Sequence, residues 1–253
     1  MPTNKKVMVL VVAYNAERTI NRLLERIPKE IWEKSKEIVV ADDSSQDKTA
    51  KVASEYKLKN RKKNLTVIRH KINKGYGGNQ KWGYDYAINK GYDIVVMLHG
   101  DAQYSPEEIP KLLRSLEENK ADMVFGSRIA GNPLKGGMPL YKFIGNKFLT
   151  TVQNIILGQR FTEYHSGFRL YSTKSLQKIP LNLCSNDFHF DTEIMVQLLI
   201  AKQHIKELPI KTFYGKEKCY VNVIPYGLNV LKTMIEYLLT KTNIHPVNKF
   251  KIK

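Results

Sequence analysis

The chain has 253 residues, 42% of them hydrophobic and 26% charged, which suits one large α/β domain or two small ones with a sizeable core. Its 41 Lys and Arg residues against 24 Asp and Glu residues give a formal charge of +17. That excess indicates a polyanionic partner, such as nucleic acid, an anionic membrane or a phosphorylated substrate, or else simply a solvated surface. No uninterrupted apolar segment approaches the roughly 18 to 20 residues that span a bilayer, so no membrane-spanning helix is predicted.

The N-terminal segment and the cysteines bear on the cellular compartment. Lys5-Lys6 is followed at once by a strand-like run and then by polar residues, so the sequence predicts no signal peptide. Cys184 and Cys219 lack the spacing of a CxxC or metal-binding motif, which favours a reduced, cytoplasmic protein.

In the first half of the chain, predicted strands alternate with predicted helices. Short apolar runs bounded by turn residues are typical of buried parallel strands, whereas apolar residues at helical spacing predict the segments between them. The predicted strands are residues 6–12, 37–41, 65–69, 93–98 and 122–126, and the predicted helices include about 18–26, 51–56 and 79–89. This alternation predicts an α/β fold with a doubly wound, mostly parallel sheet.

Past Arg128 the pattern changes, although no repeat, low-complexity tract or clear linker interrupts the chain, which favours a single domain. The prediction divides it into a main domain at 1–226 and an amphipathic helix with a basic tail at 227–253. The predicted order in the second half is a loop at 131–139, an amphipathic helix at 140–157, a compact polar segment at 161–171, a helix at 188–201, a strand at 207–210, a basic loop at 215–221 and a helix at 228–239.

Three predicted strands deliver polar side chains where their apolar runs stop. The first leads into Tyr14-Asn15, the second into Asp42-Asp43 and the fourth into Asp101-Ala102-Gln103. Each segment alone is a simple turn or helix cap, but at the carboxyl ends of one parallel sheet together they predict a nucleotide site. The carboxylate of Asp42 or Asp43 could accept a hydrogen bond from a base N–H or a ribose hydroxyl. Asp101 could bind a divalent cation, with phosphate oxygens as the remaining ligands of that cation.

A glycine-rich segment follows the third predicted strand. Gly75, Gly77 and Gly78 precede a helix, so their backbone N–H groups could face a phosphate. The segment is neither GxGxxG nor a Walker A sequence, and a simple glycine turn explains it equally well. Lys74 is either a phosphate contact or a solvated side chain.

Taken in order, these segments resemble family-2 glycosyltransferases of GT-A fold, a Rossmann-like single domain. The resemblance covers about Val7 to Tyr220 and implies an enzyme that moves a sugar from a nucleotide sugar with inversion at the anomeric carbon. Two later segments, 166–169 (Ser-Gly-Phe-Arg) and 207–210 (Glu-Leu-Pro-Ile), are similar to the dolichyl- or polyprenyl-phosphate sugar synthase branch. The segments that carry the family resemblance are 11–17 (Val-Val-Ala-Tyr-Asn-Ala-Glu), 42–49, 73–77, 100–107 and 126–128.

The resemblance also implies site residues. Asp101 matches the last Asp of the family's DXD motif and is expected to hold Mg²⁺ or Mn²⁺ on the diphosphate, with Gln103 just beyond it. Arg128 and Arg169 are expected to contact phosphates, for which a planar guanidinium is suited. Asp191 falls in the family's catalytic region. The other residues expected to bind the nucleotide sugar are Ala13, Tyr14, Asn15, Glu17, Asp42 or Asp43, Lys74, Gly75 and Gly100.

For two of these residues, His99 and Asp191, the sequence allows two different roles. His99 stands where the DXD motif has its first Asp; it is either a metal ligand, which favours Mn²⁺ over Mg²⁺, or only a hydrogen-bonding group. Asp191 is either a general base for a hydroxyl acceptor or the N-cap of the next helix.

The last predicted helix carries Leu228, Leu231 and Ile235 on one face, with lysines around and after it. A basic amphipathic helix can lie on an anionic membrane surface, but the same face could pack on the protein core or in a homo-oligomer.

Together these observations predict a peripheral enzyme at the cytoplasmic membrane face, with a GDP- or UDP-sugar donor, a polyprenyl or dolichyl phosphate acceptor and, in the cell, an anionic membrane or membrane-protein partner. The alternatives are a transferase with a saccharide hydroxyl acceptor and a protein that only binds nucleotide. A nucleic-acid-binding module is disfavoured, because the sequence has no basic recognition helix or RNP-like aromatic pattern.

Overall fold

The computed structural model describes residues 5–214 and 220–252. Most of the predicted basic loop, including Cys219, lies outside these residues. Within them, one seven-stranded sheet has the order β3-β2-β1-β4-β6-β5-β7. The strands are β1 Val7–Ala13, β2 Ser35–Asp42, β3 Leu65–Arg69, β4 Ile94–His99, β5 Met123–Ser127, β6 Arg169–Ser172 and β7 Ile205–Pro209.

Helices connect the strands and cover both faces of the sheet. Across the described residues, none of them is long and apolar enough to cross a membrane. The α-helices are α1 Ile20–Arg26, α2 Lys29–Lys34, α3 Thr49–Lys59, α4 Tyr76–Asn89, α5 Ile109–Glu118, α6 Leu140–Leu157, α7 Thr173–Leu176, α8 Phe190–Ile200 and α9 Val223–Lys241. Since α9 begins at Val223, the division between 226 and 227 falls inside a helix and stays a prediction.

The first four strands pair in parallel with one another. β1 pairs in parallel with β2 on one side and with β4 on the other, and β3 extends the sheet beyond β2. The register places Ala13 beside Asp42 and Val12 beside His99. The carboxyl ends of β1, β2 and β4 therefore meet at one edge, and the predicted α/β fold class is confirmed.

Alternate side chains of β1 enter two different core layers, as expected for a sheet covered on both faces. Val9 and Val11 pack in the layer that contains helices α1, α3 and α5. Met8 and Leu10 pack in the opposite layer with residues of α4 and α8. This two-sided burial explains why the strand is a continuous apolar run in the sequence.

β6 was not predicted. It is four residues long, begins with Arg169 and runs antiparallel between β4 and β5. So short a strand with a charged first residue carries little of the apolar pattern that identifies the others. Because β6 runs against its neighbours, it starts at the edge where β4 and β5 end. Residues 163–168 are therefore brought to that edge.

Candidate active site

A cleft of about 1600 Å³ lies beyond the carboxyl ends of β1, β2, β4 and β5. This is where ligands bind in open α/β sheets. The predicted site residues that line it are Ala13, Tyr14, Asn15, Glu17, Asp43, Gly75, His99, Gly100, Asp101, Gln103, Arg128 and Asp191. The described cleft lining does not include Asp42, Lys74 or Arg169.

The loops after β1 and β2 are joined by hydrogen bonds. The backbone N–H of Asn15 donates to Ser45 Oγ at 2.8 Å, and that of Ala16 donates to Thr49 Oγ1 at 2.8 Å. Asn15 and Ser44 have positive φ angles of 49° and 61°, a region that most side chains disfavour. The bonds hold the two loops in one arrangement at the rim of the cleft.

The two acidic residues after β2 have different surroundings. Asp42 is completely buried, and its carboxylate accepts a hydrogen bond from the backbone N–H of Ser45 at 3.3 Å and lies 3.5 Å from Arg69 Nε. Asp43 lines the cleft and accepts a hydrogen bond from the backbone N–H of Lys74 at 2.8 Å. Burial raises the pKa of Asp43, although this hydrogen bond opposes the shift. Asp43 is thus the candidate for nucleoside binding, while Asp42 supports the loop and the exposed Lys74 contributes its backbone.

The turn after β4 presents Asp101. Its Oδ1 accepts a hydrogen bond from the backbone N–H of Gln103 at 3.0 Å, and Ala102 between them has a φ of 58°. Gly100 fits here because a Cβ at that position would lie 3.0 Å from the Cβ of Ala13. The turn is therefore pressed against the end of β1, with the Asp101 carboxylate beside the cleft.

This arrangement fits a divalent cation only if the substrate supplies further ligands. Among the residues that the structure describes, no group of three or more His, Cys, Asp and Glu side chains could hold a metal ion. Mg²⁺ commonly binds through one or two carboxylates plus substrate phosphates and water. Asp101 therefore fits a cation that arrives with a diphosphate.

His99 takes part in a chain of hydrogen-bonded polar side chains along the cleft. Its Nε2 lies 3.0 Å from the hydroxyl oxygen of Tyr76, and that hydroxyl donates to Asp191 Oδ2 at 2.7 Å. Burial lowers the pKa of His99, although the charge of Asp101 opposes the shift. His99 is therefore neutral near pH 7, and Tyr76 links it to Asp191.

Asp191 lies in the first turn of α8 but does not cap that helix, whose N-cap is His189. Asp191 is only 4% exposed, and its carboxylate lies 3.6 Å from Arg169 Nη1 and accepts a hydrogen bond from the Tyr76 hydroxyl. It lines the cleft with little free surface. A role as general base stays a prediction, and the alternative as an N-cap is excluded by this geometry.

Arg169 is completely buried beneath the cleft. Its guanidinium donates to the backbone carbonyl oxygens of Tyr164, Ser166 and Asp191 at 2.7–2.8 Å. Burial by itself lowers the pKa of Arg169, but the charge of Asp191 raises it overall. The structure thus corrects the expectation of a phosphate contact: Arg169 holds the segment before β6 against α8.

Arg128 lines the cleft while paired with a buried carboxylate. Its Nε donates to Glu163 Oε1 at 2.7 Å, its backbone N–H donates to Glu163 Oε2 at 2.7 Å, and its Nη1 donates to the Tyr214 hydroxyl at 3.1 Å. Asn146 on α6 donates to the same carboxylate. Because Glu163 is completely buried, most of the positive charge of Arg128 is balanced inside the protein.

The remaining wall of the cleft is formed by α6 and α9, which pack against each other. Both helices line the cleft, through residues that include Tyr141 and Leu149 on α6 and Val223 and Tyr226 on α9. Both also expose large apolar side chains, which we call the α6–α9 face: Leu140, Tyr141, Ile144, Phe148 and Ile155 on α6, and Val223, Ile224, Leu228, Ile235 and Leu238 on α9. The sequence indicated the apolar side of each helix but not that the two sides form one surface beside the cleft.

Several cleft residues were missed by the sequence analysis. Arg18 and Arg22 both line the cleft; Arg18 lies in the turn just before α1, and Arg22 lies in the first turn of that helix. Their spacing of four within the predicted helix 18–26 was a usable signal. Tyr76 lies within the glycine-rich segment, whereas Tyr104 and Tyr214 carried no local signal because only the fold brings them to the cleft.

Comparisons with known proteins identify the family of this chain. The model of the family "Glycosyl transferase family 2" matches residues 8–180. The chain is 28% identical over 221 residues to UDP-N-acetylglucosamine–dolichyl-phosphate N-acetylglucosaminyltransferase of Methanococcus voltae, covering 83% of this chain and 87% of that protein. It is 25% identical over 215 residues to polyprenol monophosphomannose synthase of Mycolicibacterium smegmatis, covering 84% of this chain and 79% of that protein.

A solved structure shares the fold. Glucosyl-3-phosphoglycerate synthase from Mycobacterium tuberculosis, in complex with Mn²⁺, uridine diphosphate and phosphoglyceric acid, superposes with a TM-score of 0.70. The superposition covers 94% of this chain and 78% of that one at 14% sequence identity. With the family match spanning more than half of its length, the chain belongs to glycosyl transferase family 2 and is a glycosyltransferase of GT-A fold.

Proposed function

We propose that this enzyme transfers a sugar from a GDP- or UDP-sugar to a polyprenyl or dolichyl phosphate at the cytoplasmic face of a membrane, with inversion at the anomeric carbon. The observation that carries the proposal is the position of the α6–α9 face, which borders the same cleft that the polar strand ends line. The names of the Methanococcus and Mycolicibacterium relatives support a lipid phosphate acceptor.

The donor fits the end of the cleft formed by β1, β2 and β4. Asp43 suits a nucleoside N–H or hydroxyl group, and Asp101 would hold Mg²⁺ or Mn²⁺ on the diphosphate. Such a cation, when bound, neutralises the charge that develops on the departing nucleoside diphosphate. Arg18 and Arg22 line this part of the cleft and add positive charge for the same anion.

The acceptor enters beside α6 and α9. A phosphate oxygen of the lipid forms the new bond to the anomeric carbon, while the bond from that carbon to the diphosphate breaks and the nucleoside diphosphate keeps the electron pair. Because a phosphate is already an anion at neutral pH, no strong base is needed. Asp191, which is buried and accepts a hydrogen bond from Tyr76, is poorly placed to remove a proton from a saccharide hydroxyl group.

The α6–α9 face suits contact with a membrane that contains the acceptor. Exposed lysines, among them Lys147 on α6 and Lys232 and Lys241 on α9, accompany its apolar side chains. Each lysine near an anionic surface contributes about 1 kcal/mol, and burying a large apolar side chain contributes about 1.5–3 kcal/mol. Lys249 of the basic tail is not part of this surface, because it pairs with Glu236 at 2.7 Å and with the buried Glu193.

A transfer assay tests the proposal directly. A thermal-shift panel of GDP- and UDP-sugars with Mn²⁺ or Mg²⁺ first selects the donor, because a bound ligand raises the apparent stability. The radiolabelled donor is then offered polyprenyl phosphate in anionic vesicles or, separately, soluble glycans. We expect label in the lipid fraction alone; label only in the glycans, or in neither acceptor, would overturn the lipid-phosphate assignment.

A further inference from the structure

The hydroxyl of Tyr76 joins two side chains of the cleft. It lies 3.0 Å from His99 Nε2 and 2.7 Å from Asp191 Oδ2. The Tyr76 ring stacks on Phe188 with centroids 4.9 Å apart and meets the His99 ring edge-on at 5.4 Å. The phenol is thus held on two sides and has two hydrogen-bonding neighbours.

The start of α4 fixes Tyr76 relative to α8. Gly77 donates its backbone N–H to the Asn186 carbonyl oxygen at 2.7 Å, and a Cβ at Gly77 would lie 2.6 Å from Phe190 Cβ. Such close approach of two helix starts is available only without a side chain at Gly77. Tyr76, the first residue of α4, and Asp191, the second of α8, are therefore placed in a defined geometry.

The hydrogen bonds of this chain assign its protons. Asp191 Oδ2 accepts the hydrogen bond that the Tyr76 hydroxyl donates, and the same carboxylate lies 3.6 Å from Arg169 Nη1. The Tyr76 hydroxyl proton therefore points to Asp191. The phenol oxygen can then only accept from His99, so His99 Nε2 carries the hydrogen.

The other ring nitrogen of His99 is left for a ligand. A neutral imidazole with a hydrogen on Nε2 has an unprotonated Nδ1. The opposite edge of the ring is closed, since a Cβ at Gly167 would lie 2.4 Å from both His99 Cε1 and Nε2. No residue that the structure describes forms a hydrogen bond with His99 Nδ1, and His99 and Asp101 both line the cleft.

We propose that Tyr76 is a positioning residue: held by Asp191, it fixes His99 in the Nε2–H tautomer and thereby presents the His99 Nδ1 lone pair as a ligand beside Asp101 for the divalent cation. An imidazole ligand oriented through its second nitrogen is a common way to set metal affinity and preference. The cation part rests on the proposed function, whereas the tautomer does not.

Nitrogen NMR of the histidine rings tests the tautomer without donor, acceptor or metal. In protein with ¹⁵N-labelled histidine, the His99→Gln variant assigns the His99 signals. We expect wild-type His99 to be neutral, with its hydrogen on Nε2, at pH 7. The Tyr76→Phe variant keeps both ring contacts but removes the hydroxyl, and we expect its His99 signals to shift to a mixture of the two tautomers.

Tyr104→Phe is the matched control. Its ring also meets His99 edge-on, at 5.2 Å, but its hydroxyl accepts from the backbone N–H of Gly167 at 2.8 Å. We expect the His99 tautomer to be unchanged in this variant. A wild-type His99 with hydrogen on Nδ1, or charged at pH 7, would overturn the assignment even if Tyr76→Phe does not fold; so would a Tyr76→Phe spectrum identical to that of the wild type.

Binding of Mn²⁺ in the presence of UDP or GDP, followed by electron paramagnetic resonance of the protein-bound ion, tests the ligand, because diphosphate oxygens complete the coordination of the cation. We expect His99→Gln and Tyr76→Phe each to weaken Mn²⁺ binding about tenfold or more, and Tyr104→Phe to leave it unchanged. Equal Mn²⁺ binding by His99→Gln and wild type, or no binding by the wild type, would reject His99 as a ligand. Failure of lipid-phosphate transfer would leave both readouts intact, so the two proposals fail separately.

Discussion

The two halves of the cleft are built differently. The nucleotide half, residues 7–103, uses parallel strands buried on both faces and presents Asp43 and Asp101 from their ends. The acceptor half, residues 123–241, inserts the antiparallel β6 and completes the cleft with α6 and α9. The first half offers fixed polar groups, while the second offers a helical wall with exposed apolar side chains. The difference indicates a polar ligand at one end and an apolar partner at the other.

Charge is also handled differently in the two halves. Asp43 and Asp101 face the cleft, where a ligand can meet them. In the acceptor half, Glu163 pairs with Arg128, and the buried Arg169 lies 3.6 Å from Asp191. The ion pairs of the acceptor half therefore mainly hold the segment around β6 in place. In the nucleotide half, Asp43 and Asp101 remain available for chemistry, whereas Asp42 is buried.

The largest effect on stability is expected when the buried ion pair between Glu163 and Arg128 is broken. Glu163→Gln leaves the Arg128 charge unbalanced in the interior, and we expect a loss of about 3–5 kcal/mol in the free energy of unfolding, measured with urea. The control is Glu107→Gln, whose partner Arg26 is 24% exposed and which is itself 52% exposed; there we expect less than about 1 kcal/mol. Similar losses in the two variants would contradict a structural role for the buried pair.

The second test removes the cation ligand of the nucleotide half. We expect Asp101→Ala to lower kcat/KM about a hundredfold to a thousandfold, because the leaving group loses the charge that the cation supplies. Asp93→Ala is the matched control, since Asp93 lies before the other end of β4 and accepts from the backbone N–H of Lys6 at 2.8 Å. Full activity of Asp101→Ala would reject its assignment.

The third test concerns the α6–α9 face. Phe148 is 59% exposed, and Phe148→Glu removes up to about 2 kcal/mol of apolar burial, so we expect roughly thirtyfold weaker binding to anionic vesicles in flotation. Leu58→Glu on α3, where the native side chain is 77% exposed, should bind like wild type. If Phe148→Glu instead splits a dimer in sedimentation without changing vesicle binding, a second copy covers the face.

The smallest effect is a pH dependence that arises in the acceptor half. Burial lowers the pKa of His165 from 6.5 to about 3, and its Nδ1 lies 2.7 Å from the Tyr226 hydroxyl. Because the unfolded chain binds the proton more readily, stability is fully present above pH 6.5 and falls as the pH drops towards 3. We expect a loss of about 2 kcal/mol at pH 5, from 1.36 kcal/mol per pH unit.

Urea unfolding at pH 7 and pH 5 measures this loss. His165→Gln should remove that part of the pH dependence, whereas His204→Gln, at an exposed position, should keep it. An unchanged difference between the two pH values in His165→Gln would show that other groups cause it.

The strands of the nucleotide half could be predicted because their signal is local. A strand buried on both faces has to be apolar along its whole length, and it stops being apolar where it leaves the core. For this reason the predicted strands 6–12 and 93–98 match β1 and β4 to within one residue, and the polar residues after β1, β2 and β4 could be identified from the sequence. The apolar spacing of 140–157 likewise gave the bounds of α6.

Which polar residue faces the cleft could not be predicted in the same way. Asp42 and Asp43 are neighbours of one residue type, yet one is buried under the loop and the other lines the cleft. Arg169 matched a family motif, but its guanidinium donates its hydrogen bonds to backbone carbonyl oxygens inside the protein. Such outcomes depend on alternation along the strand end and on contacts with distant segments.

The sequence by itself determined the α/β order, the family and the segments that reach the carboxyl edge, since each follows from local apolar pattern or an ordered set of motifs. Only the tertiary structure decided that β6 lies between β4 and β5, that Tyr76 connects His99 to Asp191, and that α6 and α9 share one exposed face. These features join residues far apart in the chain, so the burial and hydrogen bonds that fix them exist only after folding.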